Sequence, residues 1–209
     1  MDLIKQLNWR YATKRMNGKA VPQKKIDIIL EAIQLAPSSF GLTPYTVLVI
    51  TDMEVRKKIQ TAAYMQAQIV EGSHLLVFAA WSDISEKQVD EFIALTAKTR
   101  GMPVSALADY KNYIMSSVTP RSPKERSEWG ARQAYIALGF GLTAAALEEV
   151  DACPMEGFDS AKVDEILGLA AKGLKSTVFM ALGYRDEKND KYATLKKVRR
   201  DKKELFVRV

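Results

Sequence analysis

The sequence predicts a mixed α/β (α+β) fold, with helices flanking a central mixed sheet, on three observations. Short apolar runs of strand character, "YTVLVI", "SHLLVFAAW" and "STVFMALGY", are spread along the chain between longer segments. Several of those longer segments place apolar residues at helical spacing. With 209 residues, 47% of them hydrophobic, the chain can bury one sizeable core, so residues 1–209 are expected to form a single domain.

Taken in order, "VPQKKIDIILEAIQLAPSS" opens with Pro22 in a first helical turn and sets Ile26, Ile29, Leu30 and Ile33 on one face until Pro37 stops it. The small, turn-forming stretch Pro37 to Pro44 leads into "YTVLVI", a β-branched run that reads as a buried strand. Thr51 and Glu54 have the spacing of a capping box for the next helix. "SHLLVFAAW" is a second buried strand. Ser85 and Gln88 then cap a helix that ends at Arg100-Gly101.

Residues Met102 to Pro123 are less periodic and read as an exposed excursion. The segment Ser127 to Val150 is a helix apolar around most of its circumference, which predicts burial on all sides. Its glycines at 130, 139 and 141 each cost up to about 1 kcal/mol relative to alanine, so they imply close approach of another helix, within the chain or across a dimer. "DSAKVDEILGL" is a shorter amphipathic helix, and "STVFMALGY" a third buried strand.

Composition excludes several functions. One cysteine, Cys153, and one histidine, His74, rule out a disulfide framework and leave too few soft ligands for zinc, so no metal is expected. A Ser/His or Cys/His nucleophile would have to use His74, which heads an apolar run; both residues read as structural. No apolar run approaches the roughly 20 residues of a membrane span, and the start does not resemble a signal peptide. A cytoplasmic protein without a membrane partner is therefore expected. The net charge of +6 is concentrated at one end: residues 191–209 hold eight Lys/Arg against Asp201 and Glu204. A basic face spread over the chain is absent, so nucleic acid is not the expected partner.

Four segments depart from this pattern: Arg10 to Lys14 ("RYATK"), Ala36 to Ser39 ("APSS"), Pro154 to Phe158 ("PMEGF") and Lys197 to Arg199 ("KVR"). In this order, with the long apolar helix between the second and third, they resemble the FMN-dependent nitroreductase family over essentially the whole chain. A Rossmann-type glycine fingerprint is absent, since "LGFGL" lies inside a helix.

The resemblance implies a nitroreductase-like fold, an intertwined homodimer with shared active sites, FMN as cofactor and NAD(P)H as co-substrate. Arg10, Lys197 and Arg199 would hold the phosphate, Tyr11, Ala12 and Thr13 would line the ribityl chain, and Lys14 would sit at the pyrimidine end of the ring. Pro154, Met155, Glu156 and Gly157 would cross one ring face, with the backbone of Glu156 or Gly157 near N5. Pro37, Ser38 and Ser39 would reach the cofactor from the partner subunit. Met65 stands where the family often has an asparagine, so Gln66 or Gln68 would serve instead; Gln68, one helical turn on, is the one chosen.

The implied activity is ping-pong hydride transfer from NAD(P)H to small planar electron-poor acceptors, nitroaromatics or quinones, with no side-chain acid or base required. Phe40, Tyr110, Tyr113 and Met115 are candidates for a substrate-pocket wall, with plain packing as the alternative for each. Other chemistries on the same fold are enoate reduction, dehalogenation and flavin breakdown. An alternative of a different class is a non-enzymatic module in which the basic tail docks an anion or nucleic acid.

Overall fold

The computed structural model describes residues 2–209. In chain order its elements are α1 Leu3–Trp9, α2 Gln23–Gln34, β1 Tyr45–Ile50, α3 Met53–Ala62, the single turn α4 Gln68–Glu71, β2 His74–Trp81, α5 Glu86–Arg100, α6 Ala108–Val118, α7 Pro123–Leu147, β3 Asp151–Met155, α8 Ser160–Leu167, β4 Leu174–Gly183 and α9 Lys202–Leu205. The four strands form one sheet in the order β1-β2-β4-β3. The α+β class is as expected, but the sheet is antiparallel at every strand pair rather than mixed. Parallel pairing is confined to a single bridge, Ala12 to Ala152, made by a segment outside the four strands.

The central strands β2 and β4 are covered on both faces, and Leu75 to Ala80 are at most 1% exposed. Alternation along β2 divides the core. Leu76 and Phe78 join Ile26, Ile29 and Ile33 of α2 and Ala134, Ala137 and Leu138 of α7. Leu75 and Val77 face the other way, onto Ile59 and Ala62 of α3, Ile69 of α4 and Val163 of α8. There Phe158 stacks on Phe179 at 4.0 Å between centroids. Phe78 and Phe179 are fully buried, each contributing about 1.5–3 kcal/mol of apolar transfer.

Several expectations are corrected. "YTVLVI" is the edge strand β1, with Thr46 and Val49 exposed, because only one of its flanks has a neighbouring strand. A fourth strand, β3, joins the three expected: Pro154 lies within its five residues, a placement that an edge strand tolerates because one row of its backbone groups is unpaired. The cap of α3 is Asp52, whose carboxylate accepts from the Val55 N–H at 2.9 Å, rather than Thr51. The stretch 102–123 contains α6 and a 3₁₀ turn at Val104–Leu107. Helix α7 begins at Pro123, four residues earlier than predicted, because Ser122 and Glu125 form the capping box and Pro123 takes the first helical position.

Nor is α7 buried all round, since Tyr135, Ile136 and Phe140 are exposed. Two of its three glycines do mark close approach. A Cβ at Gly141 would come within 2.9 Å of Ile33 on α2, and one at Gly130 within 3.2 Å of the Pro44 carbonyl. Gly139 meets nothing within its own chain. Among the described residues no helix is long and apolar enough to cross a membrane.

Candidate active site

After α1 the chain runs extended beside β3. Ala12 bridges to Ala152, and Met16 to Arg185 beyond β4. Thr13 turns inward, fully buried, and its hydroxyl donates to Asp151 Oδ1 at 3.2 Å. The period-two alternation of extended backbone then leaves Ala12 and Lys14, both half-buried, on the opposite side, toward the cleft. Asp151 also accepts from the Arg185 N–H at 2.8 Å and from its guanidinium at 2.6 and 2.9 Å. That guanidinium lies between the Trp9 and Tyr11 rings, 4.2 and 4.8 Å from their centroids.

A second carboxylate, Asp190, ties the same segment to the C-terminal tail. It accepts from the Lys14 N–H at 2.7 Å, the Tyr11 hydroxyl at 3.0 Å, the Arg15 N–H at 3.3 Å and the Tyr192 N–H at 2.9 Å. Burial pushes its pKa up, but the backbone donors, Tyr192 first, outweigh burial and hold it below the usual carboxylate value. Tyr11 is correspondingly raised, by burial and by its bond to Asp190. Arg15 forms a surface ion pair with Glu71 at 2.7 Å.

Between this segment and the tail lies a cleft of about 550 Å³, lined by Asn8 to Ala12 and Lys14 on one side and by Tyr192, Ala193 and Leu195 to Val198 on the other. Lys197 Nζ caps the end of α1, donating to the carbonyls of Leu7 at 2.6 Å, Asn8 at 3.2 Å and Arg10. Arg10 projects into this region with its Nε buried and without a hydrogen-bond partner. Its pKa is lowered by burial and then by Arg199, and that of Lys197 by burial, Arg10 and Arg199. Arg10, Lys197 and Arg199 thus crowd one another. Among the described residues none of them forms an ion pair with a carboxylate.

Arg10 and Lys197 line the cleft and Arg199 lies outside its lining, close enough for its charge to act on both; a cationic cleft with one buried unpaired donor fits a multiply charged anion such as a phosphate monoester. The geometry thereby joins residues 10 and 197, which the sequence separates by nearly the whole chain. A profile of the nitroreductase family matches residues 7–184.

The chain belongs to the nitroreductase family. A Staphylococcus haemolyticus protein with the provisional name NAD(P)H nitroreductase is 31% identical over 194 residues, which span 88% of this chain and 89% of the relative. Among solved structures, a Bacillus subtilis nitroreductase superposes with a TM-score of 0.86 at 20% identity, covering 99% of this chain and 98% of its own. A nitroreductase of Exiguobacterium sibiricum in complex with FMN gives 0.83 at 18% identity, covering 100% and 98%. These likenesses establish the nitroreductase fold.

The rest of this nitroreductase's predicted site falls into two groups. Near the cleft, Lys14 Nζ lies 3.4 Å from Cys153 Sγ, and Cys153 is fully buried, which raises its thiol pKa against the opposing pull of Lys14. Gln68, 3% exposed, turns its amide to Met155 Sδ at 3.0 Å and Gln66 Oε1 at 3.2 Å. Pro154 and Met155 belong to β3, and Glu156 and Gly157 form the exposed turn after it. The Tyr135 hydroxyl donates to the Glu156 carboxylate, and Gln66 Nε2 to the Gly157 carbonyl at 2.7 Å.

Pro37, Ser38 and Ser39 do not line the cleft. The Ser39 N–H donates to Gln133 Oε1 at 2.8 Å, and Trp129 Nε1 to the Ser39 hydroxyl at 3.3 Å, so α7 holds this segment. Phe40, Tyr110, Tyr113 and Met115 are brought together, but around Trp129 rather than at the cleft. Phe40 meets Tyr113 and Trp129 edge-on at 5.5 and 5.8 Å, Tyr110 donates to the Phe40 carbonyl at 2.7 Å, and Met115 packs in the same cluster.

Sequence reasoning missed Asp151, Arg185 and Asp190. Each sits beside a strand end or in a polar turn, where a charged residue reads as solvated. A further unpredicted feature is the left-handed backbone of two adjacent non-glycine residues, Tyr64 (φ 54°) and Met65 (φ 58°). Such positions cost of order 1–3 kcal/mol each and persist where the surrounding structure imposes them.

Proposed function

We propose that this protein is an FMN-dependent NAD(P)H oxidoreductase that reduces nitroaromatics, quinones or both. The observation that carries the reading is the meeting of Arg10 and Lys197 in the lining of one cleft, with Arg10 Nε buried and unpartnered and the charge of Arg199 felt by both. Support comes from the FMN held by the Exiguobacterium structure and from the name of the staphylococcal relative.

When bound, FMN would supply the two-electron chemistry, taken from NAD(P)H and delivered to the acceptor in ping-pong order. Arg10 and Arg199 would hold its phosphate, each charge-assisted bond contributing on the order of 1.5–3 kcal/mol, while Lys197, its three hydrogens on the carbonyls of Leu7, Asn8 and Arg10, would add positive charge and fix the Arg10 backbone. Asp190 and Asp151 act on the protein side: they fix the Tyr11 to Arg15 segment, so that Tyr11 and Ala12 would face the ribityl chain, whereas Thr13, expected to line it as well, is fully buried and outside the cleft lining, its hydroxyl committed to Asp151. Lys14 would bring positive charge to the pyrimidine end of the ring, which favours the reduced anion. The turn of Glu156 and Gly157, continuing Pro154 and Met155, would lie against the ring. Gln68 supports this arrangement from beneath.

We further propose a homodimer in which Pro37, Ser38 and Ser39 of a second copy complete each site. Its contact face would be the exposed side of α7, where Ile136 and Phe140 flank a shallow groove formed with Ala32, Thr143, Ala144 and Leu147. The test is NADPH turnover against a panel of nitroaromatics, quinones and enones. Fastest turnover of nitroaromatics or quinones is expected; turnover of enones alone would reassign the acceptor, since an enone reductase shares this fold with a TM-score of 0.82 at 16% identity.

A further inference from the structure

A line of polar contacts runs beneath β3 and joins two parts of the site that are far apart in sequence. Lys14 Nζ lies 3.4 Å from Cys153 Sγ, and Gln68 Nε2 lies 3.6 Å from the same sulfur. The two Nε2 hydrogens of Gln68 go to Met155 Sδ at 3.0 Å and Gln66 Oε1 at 3.2 Å, so that the Cys153 sulfur is a longer packing contact, and Gln66 Nε2 donates to the Gly157 carbonyl at 2.7 Å. Cys153 and Gln68 are buried, which shields the middle of this line from water, whereas its outer end at Gly157 is exposed.

Gln66 is itself held by its backbone. Its N–H donates to the Ala63 carbonyl at 3.2 Å, and its carbonyl accepts from Gln60 Nε2 at 3.2 Å. The preceding Tyr64 and Met65, both left-handed and both largely exposed, turn the chain so that Gln66 faces the Gly157 turn. Strained backbone spent on presenting one amide is unexpected if that amide only fills surface.

We propose that Gln66 is a positioning residue, and that Lys14, Cys153, Gln68, Gln66 and Gly157 form one strut that sets the Lys14 ammonium relative to the Glu156–Gly157 turn. The inference rests on the flavin reading above, in which those two groups address different parts of one ring. By fixing them to each other, the strut tunes the electron affinity of the bound flavin without touching its phosphate.

The test compares the parent protein with Gln66→Met, which keeps the shape and removes both hydrogen bonds, and Gln66→Glu, which keeps the acceptor for Gln68 and removes the donor to Gly157. Cys153 is the single cysteine, so its alkylation by iodoacetamide in the FMN-free chain reports on the strut directly. Gln66→Met is expected to raise that rate about three- to tenfold, the worth of one neutral hydrogen bond. Gln66→Glu, which keeps the Gln68 link and cuts only the one to Gly157, is expected to fall between the parent and Gln66→Met.

In the FMN-loaded protein, Gln66→Met should leave FMN affinity near that of the parent and shift the midpoint potential. In a double-mutant cycle that shift should be non-additive with the shift from Lys14→Met. Unchanged alkylation in Gln66→Met, or strictly additive potential shifts, would overturn the strut. Failure of the parent to bind FMN would overturn the flavin reading instead, with the alkylation rates still deciding whether the strut exists.

Discussion

Arg10 and Asp190 carry opposite burdens at the residue scale. Arg10 is a half-buried cation short of an anion, whereas Asp190 is a buried carboxylate whose two oxygens are met by four donors. Replacing Arg10 or Arg199 by alanine is expected to weaken FMN binding about 10- to 150-fold, equivalent to about 1.5–3 kcal/mol for one charge-assisted bond. Titration followed by quenching of flavin fluorescence measures it, and an unchanged Kd in both variants would remove the basic cluster from the site. Lys14→Ala should likewise lower FMN retention.

For Asp190 the prediction concerns stability. Its folded pKa is depressed, so its contribution is present above the unfolded carboxylate value near 3.9 and is lost as pH falls through the lower folded value. Asp190→Asn should therefore be less stable than the parent at neutral pH. The gap, read from denaturant midpoints, should narrow on acidification below about pH 4. A gap independent of pH would mean that the carboxylate charge is not what the Tyr11 to Arg15 backbone uses. Of these residues, Arg10 to Lys14 and Lys197 were legible in the sequence because they form short contiguous motifs. Asp151, Arg185 and Asp190 were not: their partners lie up to 179 residues away, and only the folded chain shows which charges face inward.

At the element scale, α7 organises the molecule. It packs on α2 and the sheet, holds Ser39 through Gln133 and Trp129, and reaches Glu156 through Tyr135. Gly141 permits the approach of α2, so Gly141→Ala should press on Ile33. Overpacking of about 1–3 kcal/mol, less the helix-propensity gain of up to about 1 kcal/mol, leaves a net loss expected in thermal unfolding. Ile33→Val in the same chain should recover part of it; strict additivity of the two changes would place the strain elsewhere.

Helices with strong periodicity, such as α2, were readable to within a residue or two. The start of α7 was not, because its capping box at Ser122 and Glu125 lies in a polar stretch outside the apolar pattern. Thr51 and Asp52 are adjacent residues of capping type, and only the backbone decides between them. Strand β3 was hidden by its shortness and by Pro154, which an interior strand would exclude but an edge admits.

On the scale of the whole molecule, the single chain leaves two features unexplained by its own packing. The Ile136 and Phe140 face of α7 is exposed, with Gly139 open beside it, and Pro37 to Ser39 stand away from the cleft that the family pattern assigns to them. The proposed homodimer would account for both. Phe140→Asp should shift the protein toward monomer in sedimentation analysis and lower FMN occupancy at the same time; monomerisation with full occupancy would show that each chain builds its site alone. This level was the least legible in the sequence, since the circumferential hydrophobicity of α7 looks the same whether its neighbours are in the same chain or another.

The proposed role of the basic cleft at Arg10 and Lys197, with Arg199 beside it, is to bind the phosphate of a flavin. The absorption spectrum of the purified protein, after incubation with FMN and removal of free cofactor, tests it most directly. The account predicts a yellow protein with flavin bands and about one FMN per chain, reduced to a colourless form by NADPH. A colourless protein that cannot be reconstituted with FMN would contradict it.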